Sequence, residues 1–230
     1  MFSVIFEVLP HSDQKDEYLG NAKLLKPELQ AIEGFVDNVR YASLTREGWI
    51  LSLSGWDTEK ALIRWRTKAA HHGVQEKGRE SILLNYHLRV GQITADSRIP
   101  KSHQLIEQRL DETEVGEGTT VVLLDGRCPP NWVRENGADG VAKWLGLDTA
   151  AQGLISWDVF DAVLTPGEVV LMKSFKSATA ATAFLVASEP DDAARMRSVR
   201  IIRDYGKYDR REAPQYYPDA NGETTLHPGE

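Results

Sequence analysis

The chain has a single cysteine in 230 residues. Cys128 therefore has no internal disulfide partner, and a reducing, cytoplasmic setting is the natural expectation. It precedes Pro129 and Pro130 and belongs to no Cys–His pattern, so it is not a nucleophile candidate. No run of 18 apolar residues is present, so no segment is expected to span a membrane. A positive excess is also missing. Lysine and arginine number 27 against 34 aspartates and glutamates, a net charge of −7, which excludes general nucleic-acid binding. There is no glycine-rich dinucleotide fingerprint and no P-loop, so no nucleotide cofactor is implied. His11, His87, His103 and His227 show no metal-ligand spacing, and no metal site is expected. The opening MFSVIFEVLP has no basic flank and no small-residue cleavage site. It reads as a first strand rather than a signal peptide.

What is there is one pattern written twice. Residues 34–65, GFVDNVRYASLTREGWILSLSGWDTEKALIRW, align without a gap on residues 153–184, GLISWDVFDAVLTPGEVVLMKSFKSATAATAF. Gly34 matches Gly153 and Gly48 matches Gly167. Trp56 matches Phe175, and Trp65 matches Phe184. The same offset carries Ile82 and Leu83 onto Ile201 and Ile202, and Tyr86 onto Tyr205.

The first copy begins with FSVIFEVL, an alternating run rich in β-branched and aromatic residues, hence a strand. Leu19, Ala22, Leu25, Leu29 and Ile32 then recur at three- and four-residue steps, an amphipathic helix kinked or restarted at Pro27. FVDNVRYASL and WILSLSGW flank the turn TREG as a hairpin. Asp57 or Thr58 caps the next helix, and ILLNYHLRVGQI is a fourth strand.

The order is β-α-β-β-α-β, the ferredoxin-like unit. The expected organisation is a unit over 1–93, a polar link over 94–118 with a short helix between Pro100 and Glu114, a second unit over 119–208, and an extended tail over 209–230. In the tail, Tyr216 and Tyr217 are candidates to anchor it in a groove. Each sheet has one face that its helices leave bare. Two such sheets must stack, within one chain as an intrachain pseudo-dimer or between chains as a homodimer.

The stretch 61–79, ALIRWRTKAAHHGVQEKGR, concentrates polar chemistry on a helix. On a regular helix Leu62, Trp65, Ala69 and His72 share one face and His71 points aside. A bend near His71–Gly73 would turn either histidine inward. The second copy keeps a bulky residue at the Trp65 position but places Pro190, Asp191, Ala194 and Ser198 where the first has His71, His72, Gln75 and Arg79. Packing is shared, while the polar set belongs to the first copy alone. A neutral imidazole suits proton abstraction near neutral pH. Polar helix packing explains the same residues without any chemistry.

These residues carry a resemblance. VIFEV, LKPELQAIEGF, LSLSGW, the helical series from Trp65 through His71, His72, Gln75 and Arg79, and NYHLRV make the chain similar to the antibiotic biosynthesis monooxygenase domain family of the dimeric α+β barrel superfamily. RDYGKYDRREAP at 203–214 resembles the C-terminal ending of single-domain members. The resemblance implies an α+β barrel and a monooxygenase that needs no cofactor, acting on an electron-rich aromatic small molecule, a phenol or quinol. A non-catalytic binding or assembly protein is the alternative, and haem binding or degradation a more distant one. It also implies a site in the first copy, with His71 as base beside Trp65 and with Glu7, Trp56, His72, Gln75, Arg79 and Tyr86 around the substrate. In haem-degrading members an asparagine stands where this chain has Glu7, and the histidine lies farther from the tryptophan. Both departures argue against haem cleavage.

Overall fold

The computed structural model describes residues 1–187 and 194–213. Pro190 and Asp191 of the repeat alignment, and Tyr216 and Tyr217 of the tail, lie outside the described residues.

The first half runs β1 (Phe2–Pro10), α1 (Lys15–Gln30), β2 (Phe35–Ser43), β3 (Ile50–Trp56), α2 (Glu59–Arg66), α3 (Ala69–Lys77), a π-helical turn (Gly78–Ile82) and β4 (Leu83–Asp96). The second runs β5 (Thr120–Arg127), α4 (Pro130–Trp144), β6 (Leu154–Ala162), β7 (Glu168–Phe175), α5 (Ala178–Ala187) and β8 (Arg195–Gly206). The matched glycines have a common physical cause. Gly34 and Gly153 sit at φ +86° and +80°, Gly48 and Gly167 at +79° and +95°. Side-chain-bearing residues rarely adopt this left-handed region, so each copy needs glycine at the same two turns.

The eight strands close into one barrel in the order β1-β3-β2-β6-β7-β5-β8-β4, with β4 returning to β1. The bare sheet faces thus cover each other inside a single chain. Strand alternation decides what goes where. Ile5, Leu51, Leu53, Tyr41, Leu123, Phe160, Val170 and Ile201 fill the barrel interior. Phe2, Val8, Trp56 and Tyr86 face outward under the helices of the first half, and Val122, Leu124, Val159, Leu171 and Phe175 do so in the second. Thr58, rather than Asp57, caps α2, its hydroxyl accepting from Ala61 N at 3.2 Å. Pro27 stays inside the single helix α1.

The expected helix between Pro100 and Glu114 does not form. This strap spends its backbone donors on the barrel instead. Gln108 N and Arg109 N both donate to Gln92 Oε1 at 2.8 Å, and Thr113 N donates to Ile201 O at 2.8 Å. A helix would have to give up those bonds.

Lys173 is fully buried, with its Nζ 3.6 Å from the Phe184 ring centroid and within 3.3 Å of Gly146 O. Burial lowers its pKa from 10.5 to about 7, with Asp148 opposing the shift. The unfolded chain therefore binds more protons than the folded chain between those values, and stability is expected to rise with pH from about 7 to 10.5. Denaturant midpoints across that range should climb for the native chain. Lys173→Met should be more stable at pH 7 and lose the slope; an unchanged slope in the variant would refute the assignment.

Candidate active site

A cavity of about 560 Å³ lies between the outer face of the first half's sheet and the helices α1, α2 and α3. Its floor comes from the strands, with Phe6 and Tyr86 meeting edge-on at 5.8 Å between centroids. Trp56, 1% exposed, forms part of the wall and donates from Nε1 to Ser54 Oγ at 3.0 Å.

The helix expected over 61–79 breaks earlier than Gly73. Helix α2 ends at Arg66, the hydroxyl of its capping Thr67 turns back to Ile63 O at 2.9 Å, and Lys68 is extended (φ −66°, ψ 130°) before α3 starts. That break decides which histidine meets the tryptophan. The His71 ring lies on Trp65, with centroids 4.2 Å apart and planes 16° from parallel. His71 Nδ1 is 3.0 Å from Trp65 O. A carbonyl oxygen only accepts, so Nδ1 carries the proton and Nε2 is left with the lone pair. Burial lowers the His71 pKa to about 4, the Trp65 carbonyl opposing and the charges of His72 and Arg40 reinforcing the fall. The ring is therefore neutral at physiological pH.

The structure brings Trp56, Trp65, His71, His72, Gln75, Arg79 and Tyr86 to this one cavity. Glu7 is not among them. It faces the barrel interior with Ile5, on the opposite side of β1 from Phe6, and accepts from Arg89 Nη2 at 2.6 Å and Arg46 Nη2 at 2.5 Å. Burial alone would raise its pKa, but Arg89, His87 and Arg46 outweigh it and hold the carboxyl far below its ordinary range. Ser198, the match of Arg79, lies in β8, so the second half has no counterpart of α3 at that position.

Sequence reasoning missed several wall residues, among them Tyr18, Asn38, Arg40, Arg66, Tyr205 and Arg210. Tyr205 carried a signal as the repeat match of Tyr86. β8 lies beside β4, which sets the two tyrosines into the same cavity. Cys128 lies elsewhere, its thiol raised in pKa by burial. Among the described residues no group of three histidines, cysteines or carboxylates is arranged to hold a metal ion, and no helix is long and apolar enough to cross a membrane.

An eight-stranded α+β barrel with an aromatic cavity under one half is the class of molecule that the fold and site define. The comparisons with known proteins give its family. The family model for antibiotic biosynthesis monooxygenases matches residues 1–77. A protein of Pyricularia oryzae named jasmonate monooxygenase ABM is 46% identical over 226 residues, covering 96% of this chain and 100% of that protein. The chain belongs to the antibiotic biosynthesis monooxygenase family. Two solved aldoxime dehydratases also match the chain. One, in complex with butyraldoxime, has a TM-score of 0.50 and 11% identity over 87% of this chain and 79% of its own. The other has a TM-score of 0.48 and 12% identity over 87% and 80%.

Proposed function

We propose that this monooxygenase-family protein binds an apolar small molecule in the first-half cavity and oxygenates it without a cofactor, His71 accepting a proton through Nε2. The observation that carries the reading is the bond from His71 to Trp65 O, which fixes the tautomer and leaves the lone pair of a neutral ring available. Trp65, Trp56 and Tyr86 form apolar walls, and Gln75, Arg79 and His72 add polar contacts.

The chemistry follows from the electronic state of oxygen. Ground-state dioxygen is a triplet and reacts slowly with closed-shell molecules, but an electron-rich phenolate or enolate can pass it one electron. Recombination of the radicals forms a C–O bond as a peroxide. Loss of water from a CH–OOH centre leaves a carbonyl. One oxygen atom then ends in the product and the other in water, and the four electrons come from the substrate. A base of low pKa suffices because burial penalises a lone imidazolium. Beside the phenolate or enolate it has just produced, the imidazolium belongs to a neutral pair.

A phenol or quinol meets these requirements. Jasmonate, for which the Pyricularia relative is named, is an enolisable cyclopentanone acid and joins the same assay. Haem is the alternative occupant. His71 would offer it the Nε2 lone pair, and the wall arginines would face its acid groups. The test is oxygen uptake under ¹⁸O₂ with jasmonic acid and a quinol panel, beside a haemin titration. One labelled atom per product, with no added metal, haem or reductant, is the expected result. No uptake with any substrate, or strict dependence on haemin or a reductant, overturns the reading.

A further inference from the structure

The cavity wall does not share the charge of the chain. The protein as a whole carries a net charge of −7. The wall includes Arg40, Arg66, Arg79 and Arg210, and no aspartate or glutamate. Two buried arginines outside the wall each face a carboxylate, Arg89 meeting Glu7 at 2.6 Å and Arg197 meeting Asp125 at 2.7 Å.

Arg40 differs from these. It stands on β2, on the face that floors the cavity, across from Ser52. Its Nη1 donates to Asn38 Oδ1 at 3.0 Å. Asn38 is itself oriented by donating from Nδ2 to Ser52 Oγ at 3.1 Å and Leu53 O at 3.2 Å, so its oxygen is the atom offered to the arginine. The Tyr18 hydroxyl also meets Arg40; burial raises the tyrosine's pKa against the pull of that charge, so it stays neutral. Arg40 Nε is buried and makes no hydrogen bond, and no carboxylate among the described residues forms an ion pair with the side chain. A partly buried guanidinium held only by neutral groups favours an anion arriving from outside. A carboxylate matches its fork.

We infer that Arg40 anchors a carboxylate of the substrate, so that the cavity selects an apolar acid over the corresponding ester. This rests on the reading that the cavity is the substrate site. The anchored acid lies near His71, whose imidazolium Arg40 disfavours. Neutralising Arg40 removes that repulsion, so the acid group of the substrate assists its own deprotonation at a second position.

The test is calorimetric titration of the full chain with jasmonic acid and with its methyl ester as probes. A charge-assisted hydrogen bond contributes about 1.5–3 kcal/mol, so the native chain should prefer the acid by about 10–150-fold. Arg40→Gln should lose that preference while still binding the ester, which also shows that the cavity is intact. Arg40→Lys should keep part of it. Arg127→Gln removes an exposed charge outside the cavity and should keep all of it. Equal binding of acid and ester by the native chain, binding of neither probe, or an undiminished preference in Arg40→Gln each overturns the inference. Binding is read without turnover, so the two proposals fail separately. An acid preference in a chain that consumes no oxygen sinks the oxygenase reading alone, and oxygenation without a preference sinks the anchor alone.

Discussion

Glu7→Ala is expected to lower the unfolding free energy by about 3–5 kcal/mol, the usual cost of removing one partner of a buried ion pair. The Glu7 and Arg89 side chains are 5% and 6% exposed and 2.6 Å apart. Without the carboxylate, Arg89 retains Ser174 Oγ at 2.8 Å and Met172 Sδ at 3.2 Å, neither of which carries a charge. Arg46, which bridges Glu7 and Asp158 at 2.5 and 2.6 Å, loses one of its two anchors. The folded pKa of Glu7 lies below its ordinary 4.5. Its contribution is therefore complete above 4.5 and disappears as pH falls below it. Glu7→Gln should cost less, because the amide oxygen still accepts a hydrogen bond. Urea titration at pH 7 and at pH 4 measures both effects. A loss under about 1 kcal/mol for the alanine variant would contradict the buried-pair account.

His71→Ala is expected to reduce turnover by about 10²–10⁴-fold, the usual contribution of a positioned base. The fold should survive, because the ring is partly exposed and its one bond is to a backbone carbonyl. In the native protein kcat/KM should fall in acid near pH 4, rather than near the ordinary histidine value of 6.5. Stability should move in the same direction. The folded pKa is the lower one, so between 6.5 and about 4 the unfolded chain takes up the proton first and the native chain weakens as pH drops. His71→Ala should lack that slope. His72→Ala should leave the rate within the same order of magnitude, and Phe184→Leu should leave it unchanged. If both histidine variants keep full activity while the Phe184 change abolishes it at unchanged stability, the base has been assigned to the wrong half.

The fold was legible because its constraints repeat. A turn that needs a left-handed residue shows as glycine, and Gly34 with Gly153 and Gly48 with Gly167 showed it twice. The lining of the candidate cavity was legible in part. Trp65 and His71 stood out by residue type, but their stacking depends on the break at Thr67–Lys68. No glycine or proline marks that break, and the visible Gly73 points to a later one. Glu7 was misplaced because both faces of β1 are buried. Alternation groups Glu7 with Ile5 but does not say which face looks toward helices. Arg40 was missed because β2 reads FVDNVRYAS, with charged residues on both faces and no clean alternation to isolate the one beneath the cavity.

The two joints between the halves are unequal. β4 and β8 pair from His87–Asp96 against Arg197–Gly206, whereas β2 and β6 pair over Tyr41–Ser43 and Phe160–Ala162, continued by Leu44 N to Val159 O and Val163 N to Arg40 O, both at 2.9 Å. Two identical chains related by a two-fold axis would have to make both joints alike. A single chain is released from that rule and has a spine on one side and a latch on the other. The latch is fastened by side chains as much as by strands, since Ser43 and Arg46 both reach across it to Asp158. The shorter of the two joints thus runs along β2, the strand that carries Arg40, so the seam of the barrel lies beside the floor of its own cavity.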